Sequence, residues 1–261
     1  MMYRNELKFA KVLAKKAGKV MLQYFSIEKQ VQYKDDASPV TIADKKINRL
    51  VIDELTKKFD YGIIGEEEST TSYGKDETVW ICDPIDGTKA FIHGIPTFMF
   101  SLALVKKGSP VLGVTYDPVL DRLFWAVRTK GSFCNGTRLS VSKNPLKGHS
   151  VGVGSEVAQI YQTKPEIEKL FSLGAEPVCA EGAVFKTCLV AEGKFVGYMS
   201  KLPKTHDLAA AYVILVEAGG KMTATDGSEL DFSRPFIGAI ASNKLIHDEL
   251  LEIQKVSLDL S

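Results

Sequence analysis

The spacing of hydrophobic residues changes along the chain, and the changes mark the predicted elements. Apolar residues recur at helical spacing through residues 3–25, which predicts an amphipathic opening helix. A second helical pattern runs from about Ile42 to Lys58. Thr41 and Asp44, three residues apart at the start of this pattern, have the form of a capping box. Asp44 is therefore placed in the first turn of the second predicted helix.

Short runs rich in β-branched residues replace the helical pattern in the next segment. YGIIG at 61–65 and TVWIC at 78–82 are too short for helices and predict strands. Several further apolar runs lie between residues 98 and 142, separated by Gly, Pro and Asn-Gly turn signals. This spacing predicts an antiparallel meander, so the first half of the chain is expected to be α+β.

From about residue 150 the pattern alternates between short strands and helices. The strand-like runs EPVCA and FVGYM are each followed by a helical run, AVFKTCLVAEG and DLAAAYVILVEAGG respectively. Such alternation is typical of an α/β arrangement. We therefore predict a fold that is α+β followed by α/β, with an α+β lobe over residues 1–145 and an α/β lobe over residues 146–261.

Composition narrows the class of partner. Lysine and arginine total 33 against 32 aspartates and glutamates, with no long block of one sign, which argues against a nucleic-acid surface. The chain has no run near the roughly 20 apolar residues that span a bilayer, and its lysine-interrupted N-terminus does not resemble a signal peptide. Four scattered cysteines form no Cys-x-x-Cys pair. We expect a cytoplasmic protein with a small-molecule partner, no nucleic acid and no membrane contact.

Acidic residues follow the predicted strands at the points where they end. Glu66 and Glu67 follow the first strand, Asp83 and Asp86 follow the second, and Asp207 stands at the start of a later helix. Like charges a few ångströms apart repel by about 4 kcal/mol at an effective dielectric of 20, so such a cluster needs cations. Ligation by oxygen alone selects hard ions, Mg²⁺ first and Mn²⁺ second.

The segment DPIDGT, residues 83–88, combines this acidity with a predicted anion site. Pro84 fixes the backbone between the two aspartates, and the Ile85 carbonyl offers one more oxygen. Gly87 and Thr88 read as the start of a short helix, whose free amides face an anion. Metal ligands beside an anion cradle predict a phosphate ester as substrate.

Three motifs carry a family resemblance. GEE at 65–67, DPIDGT at 83–88 and HDLAAAYVILVEAGG at 206–220 resemble the motifs of the inositol monophosphatase family, the Mg²⁺-dependent, lithium-sensitive phosphatases. SPVTIAD at 38–44 and GSFCNG at 131–136 extend the resemblance over nearly the whole chain. The resemblance implies a layered α-β-α-β-α sandwich of the inositol monophosphatase and fructose-1,6-bisphosphatase type, and commonly a homodimer.

The resemblance also implies roles for individual residues. It implies two or three Mg²⁺ ions, for which Mn²⁺ can substitute, held by four carboxylates and one carbonyl oxygen: Glu66, Asp83, Ile85, Asp86 and Asp207. The lobe over residues 1–145 would carry most of the metal ligands, and the lobe over residues 146–261 would carry Asp207 and the residues that set substrate specificity. Glu67 would act behind these ligands or hold a weaker ion. Gly87 and Thr88 would bind the phosphate through their amides, while the Thr88 hydroxyl and Asp44 would orient and help to deprotonate the attacking water.

Each of these residues also has a simpler structural interpretation. Taken alone, the acidic stretch that begins at Glu66 is most often a solvated loop. Asp207 alone is more often a helix N-cap, although one carboxylate can serve as cap and metal ligand together. Asp44 alone fits a capping box as well as it fits a catalytic part. A catalytically silent metal-binding scaffold on the same fold is therefore the alternative of another class.

The substrate prediction is limited by departures from the family pattern. Ser200 stands where inositol monophosphatases usually carry a glutamate that holds inositol hydroxyls, and His206 replaces the usual tryptophan. Lys89 and the IHGIP that follows are similar to histidinol-phosphate phosphatases. FKTCLVAEGK at 185–194 resembles the 3′(2′),5′-bisphosphate nucleotidases instead, and this resemblance implies that Lys186 would meet a second phosphate. We expect an inositol-1-monophosphatase-like enzyme, with these two activities as alternatives and Lys186 and Ser200 among the substrate-binding residues.

Overall fold

The computed structural model describes residues 3–25, 31–34, 38–154 and 157–255. The helices are α1 Arg4–Phe25, α2 Ile42–Thr56, α3 Thr88–His93, α4 Val157–Ser172, α5 Ala183–Ala191, α6 Thr205–Glu217 and α7 His247–Lys255. The strands are β1 Val31–Tyr33, β2 Pro39–Thr41, β3 Gly62–Gly65, β4 Thr78–Asp86, β5 Met99–Lys106, β6 Ser109–Asp117, β7 Arg122–Val127, β8 Ser132–Cys134, β9 Thr137–Arg138, β10 Ser150–Val153, β11 Glu176–Cys179, β12 Gly197–Lys204, β13 Lys221–Thr223 and β14 Ile237–Ser242.

The first half of the chain forms a seven-stranded sheet in sequence order, from β3 to β9. The pair β3 and β4 is parallel, and every later neighbouring pair is antiparallel. The meander predicted from the turn signals is therefore confirmed. The predicted opening helices are also present, and α2 begins with the expected capping box between Thr41 and Asp44.

The second half of the chain forms a five-stranded mixed sheet with the order β11-β10-β12-β14-β13. Strand β10 pairs in parallel with both β11 and β12, whereas β14 is antiparallel to β12 and β13. Helices α4 and α5 connect the parallel strands, as the alternating pattern predicted. The predicted division at residues 145 and 146 falls in the irregular segment between β9 and β10, and it stays a prediction.

The elements stack in five layers. Helices α1 and α2 pack on the outer face of the seven-stranded sheet, and α5 and α6 lie between that sheet and the five-stranded one. Helices α4 and α7 cover the far side, where α4 contacts β11 and α7 contacts β12 and β14. Apolar side chains fill each gap between layers, and Leu13 of α1 and Trp80 of β4 belong to the same cluster between the outer helices and the seven-stranded sheet. This is the layered α-β-α-β-α sandwich expected from the sequence.

Two local predictions differ from the structure, and both concern the acidic residues. Strand β4 does not end at Cys82 but continues through Asp86, because pairing with β5 resumes after a register shift between Asp83 and Asp86. The shift accommodates Pro84, which has no N–H to donate. Helix α6 begins at Thr205, so Asp207 is the third residue of its first turn and not its N-cap.

Two further findings bear on the predicted setting of the protein. In the part of the chain that the structure describes, no helix has both the length and the apolar character needed to cross a bilayer. The four cysteines are free: Cys82 and Cys188 are buried, Cys134 is half-buried and Cys179 is exposed.

Candidate active site

A cavity of about 470 Å³ opens where the two sheets and the helices between them meet. Its wall is built from the ends of β4 and β12, the first turns of α3, α5 and α6, and the start of β2. The predicted site residues on this wall are Glu66, Asp83, Ile85, Asp86, Gly87, Thr88, Lys186, Ser200 and Asp207. Segments far apart in sequence therefore bring their acidic and phosphate-facing groups to one opening.

The register shift in β4 determines how its two aspartates are held. The Asp83 carboxylate accepts the Ile85 N–H at 2.9 Å, and this contact stabilises the turn of the chain around Pro84. Asp83 is 1% exposed. Burial raises its pKa far above the usual range, and repulsion by Glu66 and Asp207 adds to the rise.

Asp86 turns away from its own strand toward α5. Its Oδ1 accepts the Ala183 N–H at 2.9 Å, and its Oδ2 accepts the Val184 N–H at 2.9 Å. Burial raises the pKa of Asp86 to about 8, with a further contribution from the charge of Asp207. The amide donors of α5 oppose this rise, since they stabilise the charged form.

The two glutamates after β3 share one lysine, which sequence reasoning did not identify. Lys34 Nζ lies 2.7 Å from Glu66 Oε1 and 2.6 Å from Glu67 Oε1. Burial opposes the charge on Glu66, but His206 and Lys34 outweigh it and hold the pKa of Glu66 below its usual range. Burial raises the pKa of Glu67, which lies behind the wall of the cavity. The alternative interpretation of this stretch as a solvated loop does not fit its first two residues, which are half-buried.

Asp207 enters the cavity from the first turn of α6. Its Oδ2 accepts the Lys204 N–H at 2.6 Å, and its Oδ1 lies 3.2 Å from His206 Nε2. Burial raises the pKa of Asp207, and His206 opposes the rise. His206 lies on the cavity wall as well, so its place is at the site and not behind it.

Asp44 lies directly behind the phosphate-facing turn. It is fully buried, and its Oδ2 accepts hydrogen bonds from the Thr41 N–H and the Thr41 hydroxyl. The Thr88 hydroxyl lies 3.5 Å from Asp44 Oδ1 but donates more closely to the Ile85 carbonyl, at 3.0 Å. Burial raises the pKa of Asp44 to about 7. The residues predicted to act on water are thus adjacent, although the hydrogen bond between them is long.

The N-termini of α3 and α5 lie side by side at the cavity, and glycine makes this possible. Gly87 and Gly182 precede the two helices, each with φ of 85°. A Cβ at Gly87 would lie 2.9 Å from the Thr97 carbonyl oxygen, and one at Gly182 would lie 2.7 Å from the same atom. Both positions therefore require glycine for conformation and for space.

The far wall of the cavity carries the residues predicted to contact the rest of the substrate. Lys186 is 3% exposed, and its Nζ donates to the Val153 carbonyl at 3.0 Å and to the Ala180 carbonyl at 2.6 Å. Burial lowers the pKa of Lys186 to about 8, so it remains mainly cationic at neutral pH. Ser200 lies beside it on the same wall.

A hard divalent cation such as Mg²⁺ requires oxygen ligands. The acids of the cavity offer oxygen ligands only. Asp83 and Asp86 are buried, and the charge of Asp207 contributes to the raised pKa of both, a repulsion that a bound cation would relieve. In the described ranges no three Asp, Glu, His or Cys side chains are already arranged around one metal position. Their oxygens instead meet Lys34, His206 and the α5 amides. The oxygen donors nevertheless fit the chemistry of Mg²⁺.

Sequence reasoning found most of the acids but missed several wall residues. Glu181, Gly182, Ala183, Lys204 and Tyr198 all line the cavity. The glycine before the helical run at 183 was a signal for a helix start, but nothing in the sequence placed that start beside Asp86. Lys34 gave no signal, because an isolated lysine before a predicted helix is ordinary.

Known proteins resemble this chain in sequence and in architecture. The inositol monophosphatase family model matches residues 2–258. The chain belongs to the inositol monophosphatase family. A fructose-1,6-bisphosphatase/inositol-1-monophosphatase of Thermotoga maritima is 33% identical over 255 residues, 95% of each chain. A histidinol-phosphatase of Mycobacterium tuberculosis is 33% identical over 270 residues, 96% of this chain and 98% of that one.

The solved structure of an inositol monophosphatase from Thermotoga maritima superposes with a TM-score of 0.90 at 31% identity, covering 98% of this chain and 99% of that one. Members of the inositol monophosphatase family are Mg²⁺-using phosphatases, and lithium sensitivity is a property of the family in general. The chain is accordingly a phosphoric monoester hydrolase of this family.

Proposed function

We propose that this phosphatase hydrolyses a small phosphate monoester at the cavity between the sheets, with an inositol-1-monophosphate-like compound as its leading substrate. The observation that carries the proposal is the meeting of four acids, Glu66, Asp83, Asp86 and Asp207, at one opening beside the N-terminus of α3. A scaffold without activity would have no reason to maintain such mutually repelling buried charges.

The residues of the cavity have distinct parts in this proposal. The four acids and the Ile85 carbonyl would hold two or three Mg²⁺ ions, with Mn²⁺ as a substitute. When bound, these ions would supply the charge that activates a water and stabilises the leaving oxygen. Glu67 would support this set from behind, through its shared contact with Lys34.

The phosphate and the attacking water would be handled by α3 and its neighbours. The Gly87 and Thr88 amides stand at the start of α3, where free N–H groups bind anions. The Thr88 hydroxyl would orient the water, and Asp44 would take up its proton. A pKa of Asp44 near 7 without metal suits a group that exchanges protons at neutral pH.

The far wall bears on the choice of substrate. The Lys186 ammonium donates to two backbone carbonyls and lies 4.8 Å from the centre of the Tyr198 ring, and its charge is on the wall of the cavity. This supports a 3′(2′),5′-bisphosphate as an alternative substrate. The 33% identity to a histidinol-phosphatase supports a second alternative. We expect Ser200, a neutral group, to hold a sugar hydroxyl less strongly than a carboxylate would.

Phosphate release from p-nitrophenyl phosphate, with Mg²⁺ and with EDTA, tests the reaction class. We expect turnover only with the metal, and loss of turnover in Asp83→Asn. Asp60→Asn, an exposed acid outside the site, is the matched control and should behave as the parent protein. Metal-independent turnover, or normal turnover in Asp83→Asn, would contradict the proposal.

A panel of substrates then distinguishes the three candidate activities, towards inositol phosphates, histidinol phosphate and nucleotide bisphosphates. Specificity constants for inositol 1-phosphate, histidinol phosphate, fructose 1,6-bisphosphate and 3′-phosphoadenosine 5′-phosphate should rank inositol 1-phosphate first. We expect Lys186→Ala to impair bisphosphates selectively, and equal losses on all four compounds would exclude that role. We further propose that the enzyme acts in the cytoplasm as a homodimer, without nucleic-acid or membrane partners, in line with its balanced charge.

A further inference from the structure

The Asp86 carboxylate joins two parts of the fold that are far apart in sequence. Its backbone belongs to β4 of the seven-stranded sheet, and its hydrogen-bond donors belong to α5, about a hundred residues later. Ala183 and Val184 each donate a backbone N–H at 2.9 Å, one to each carboxylate oxygen, and the Phe185 N–H lies at 3.4 Å. The carboxylate thus accepts hydrogen bonds from amides at the start of a nine-residue helix, where the N–H groups have no partner within the helix.

This arrangement differs from that of the other acids in the cavity. Glu66 is paired with the flexible Lys34, and Asp207 with His206 and a single amide. Backbone amides at a helix start cannot swing away, so they hold an acceptor in a fixed orientation. A carboxylate has about four lone-pair sites, and the three amides, that of Phe185 at the longer distance of 3.4 Å, use up to three of them. The remaining sites of Asp86 are left for the cavity, whose wall it helps to form.

The approach of α5 to Asp86 is built into the backbone around Gly182. A Cβ at this position would lie 2.9 Å from Asp86 Oδ2, closer than real Cβ atoms come. Gly182 also has φ of 85°, which a side chain would strain. Gly87, next to Asp86, packs against the Gly182 backbone from the other side. The contact between α5 and Asp86 therefore depends on two glycines that provide space for it.

We propose that the N-terminal amides of α5 position Asp86 for metal binding, so that metal loading and the docking of α5 on the acid cluster are coupled. The proposal rests on the proposed function, in which Asp86 is a metal ligand. Helix α5 also carries Lys186 and part of the substrate-facing wall. The coupling would therefore order the substrate side of the cavity when the metal side is filled.

Ala183→Pro removes the Ala183 N–H donor, and its ring Cδ takes the place of that hydrogen, where it crowds Asp86 Oδ1 and moves α5 away from the carboxylate. Ala183 is the first residue of α5, a position where proline does not break the helix itself. We expect Mg²⁺ affinity, measured by calorimetry without substrate, to fall about tenfold, equivalent to about 1.4 kcal/mol. Leu189→Ala, which thins the half-buried face of α5 near its other end, is the matched control. It should lower stability and leave Mg²⁺ affinity unchanged.

Amide NMR of the parent protein tests the same coupling without a proline. The Ala183 and Val184 amide resonances should lie downfield in the parent protein, move on titration with Mg²⁺, and shift upfield in Asp86→Asn. Resonances that ignore Mg²⁺ would overturn the proposal, and so would parental Mg²⁺ affinity in a folded Ala183→Pro variant. If the parent protein itself bound no Mg²⁺, the proposed function would fail first, so the two failures are distinguishable.

Discussion

Neutralising Asp86 should change the stability of the protein with opposite signs in the absence and in the presence of Mg²⁺. Asp86 is 5% exposed, and burial with repulsion by Asp207 raises its pKa from 3.8 to about 8. Without metal, the folded protein keeps a proton in this cluster between about pH 4 and about pH 8, where the unfolded chain has released it. The free energy of unfolding of the metal-free protein should therefore fall as the pH rises through that window.

The size of the effect follows from the same shift. Between pH 3.8 and pH 8 the raised pKa corresponds to a loss of about 5 kcal/mol of stability for an isolated group. Neighbouring acids share this titration, so Asp86 accounts for only a part of the loss, on the order of 2 kcal/mol. Asparagine keeps the size of the side chain but loses one acceptor for the α5 amides, at a cost of about 1 kcal/mol. Metal-free Asp86→Asn should then be about 1 kcal/mol more stable than the parent at pH 8.

Mg²⁺ should reverse the order. At a hundred times its dissociation constant, a ligand that binds only the folded state adds about 2.7 kcal/mol. The parent protein should gain this amount, and Asp86→Asn much less. Urea unfolding followed by circular dichroism, at pH 5 and pH 8 with EDTA or with Mg²⁺, measures all four conditions. An Asp86→Asn protein that is less stable than the parent in EDTA at pH 8, or that gains as much from Mg²⁺, would refute the reasoning.

Three further predictions concern other groups. Asp44→Asn should lower the turnover number about 10²- to 10⁴-fold with Mg²⁺ affinity retained, as kinetics and calorimetry can show, and parental turnover would remove Asp44 from the reaction. Arg122→Met should lower the free energy of unfolding, measured in urea, by about 3–5 kcal/mol, because Asp117 is fully buried and receives two hydrogen bonds from Arg122. A loss below about 1 kcal/mol would contradict this. Burial lowers the pKa of His247 to about 4, so the parent protein should lose stability as the pH falls from 6.5 to about 4. His247→Gln should lose less stability over this range, and parallel plots of unfolding free energy against pH for the two proteins would contradict this.

Local patterns made much of the fold predictable. Helices α1 and α2 and the strands of the meander could be predicted because their signals, hydrophobic periodicity and turn residues, are local in the sequence. The capping box at Thr41 and Asp44 is equally local and has the predicted form. The end of β4 was misjudged, because a proline normally ends pairing and here lies within a register shift.

The acids could be predicted as a cluster, but their partners could not. Charge, residue type and position at strand ends identified Asp83 and Asp86 from the sequence. The donors to Asp86 are backbone amides of α5, and backbone groups carry no sequence signature of what they bind. The contact between Lys34 and Glu66 joins residues 32 positions apart, and it depends on where the β1 and β2 pair packs, which the residues near Lys34 in the sequence do not indicate.

Crystals grown with Mn²⁺ and measured at an anomalous wavelength test the central proposal most directly. We expect two or three anomalous peaks in the cavity, each within ligand distance of oxygens from Glu66, Asp83, Asp86 or Asp207. Peaks confined to the protein surface, with none within ligand distance of these four side chains, would contradict it.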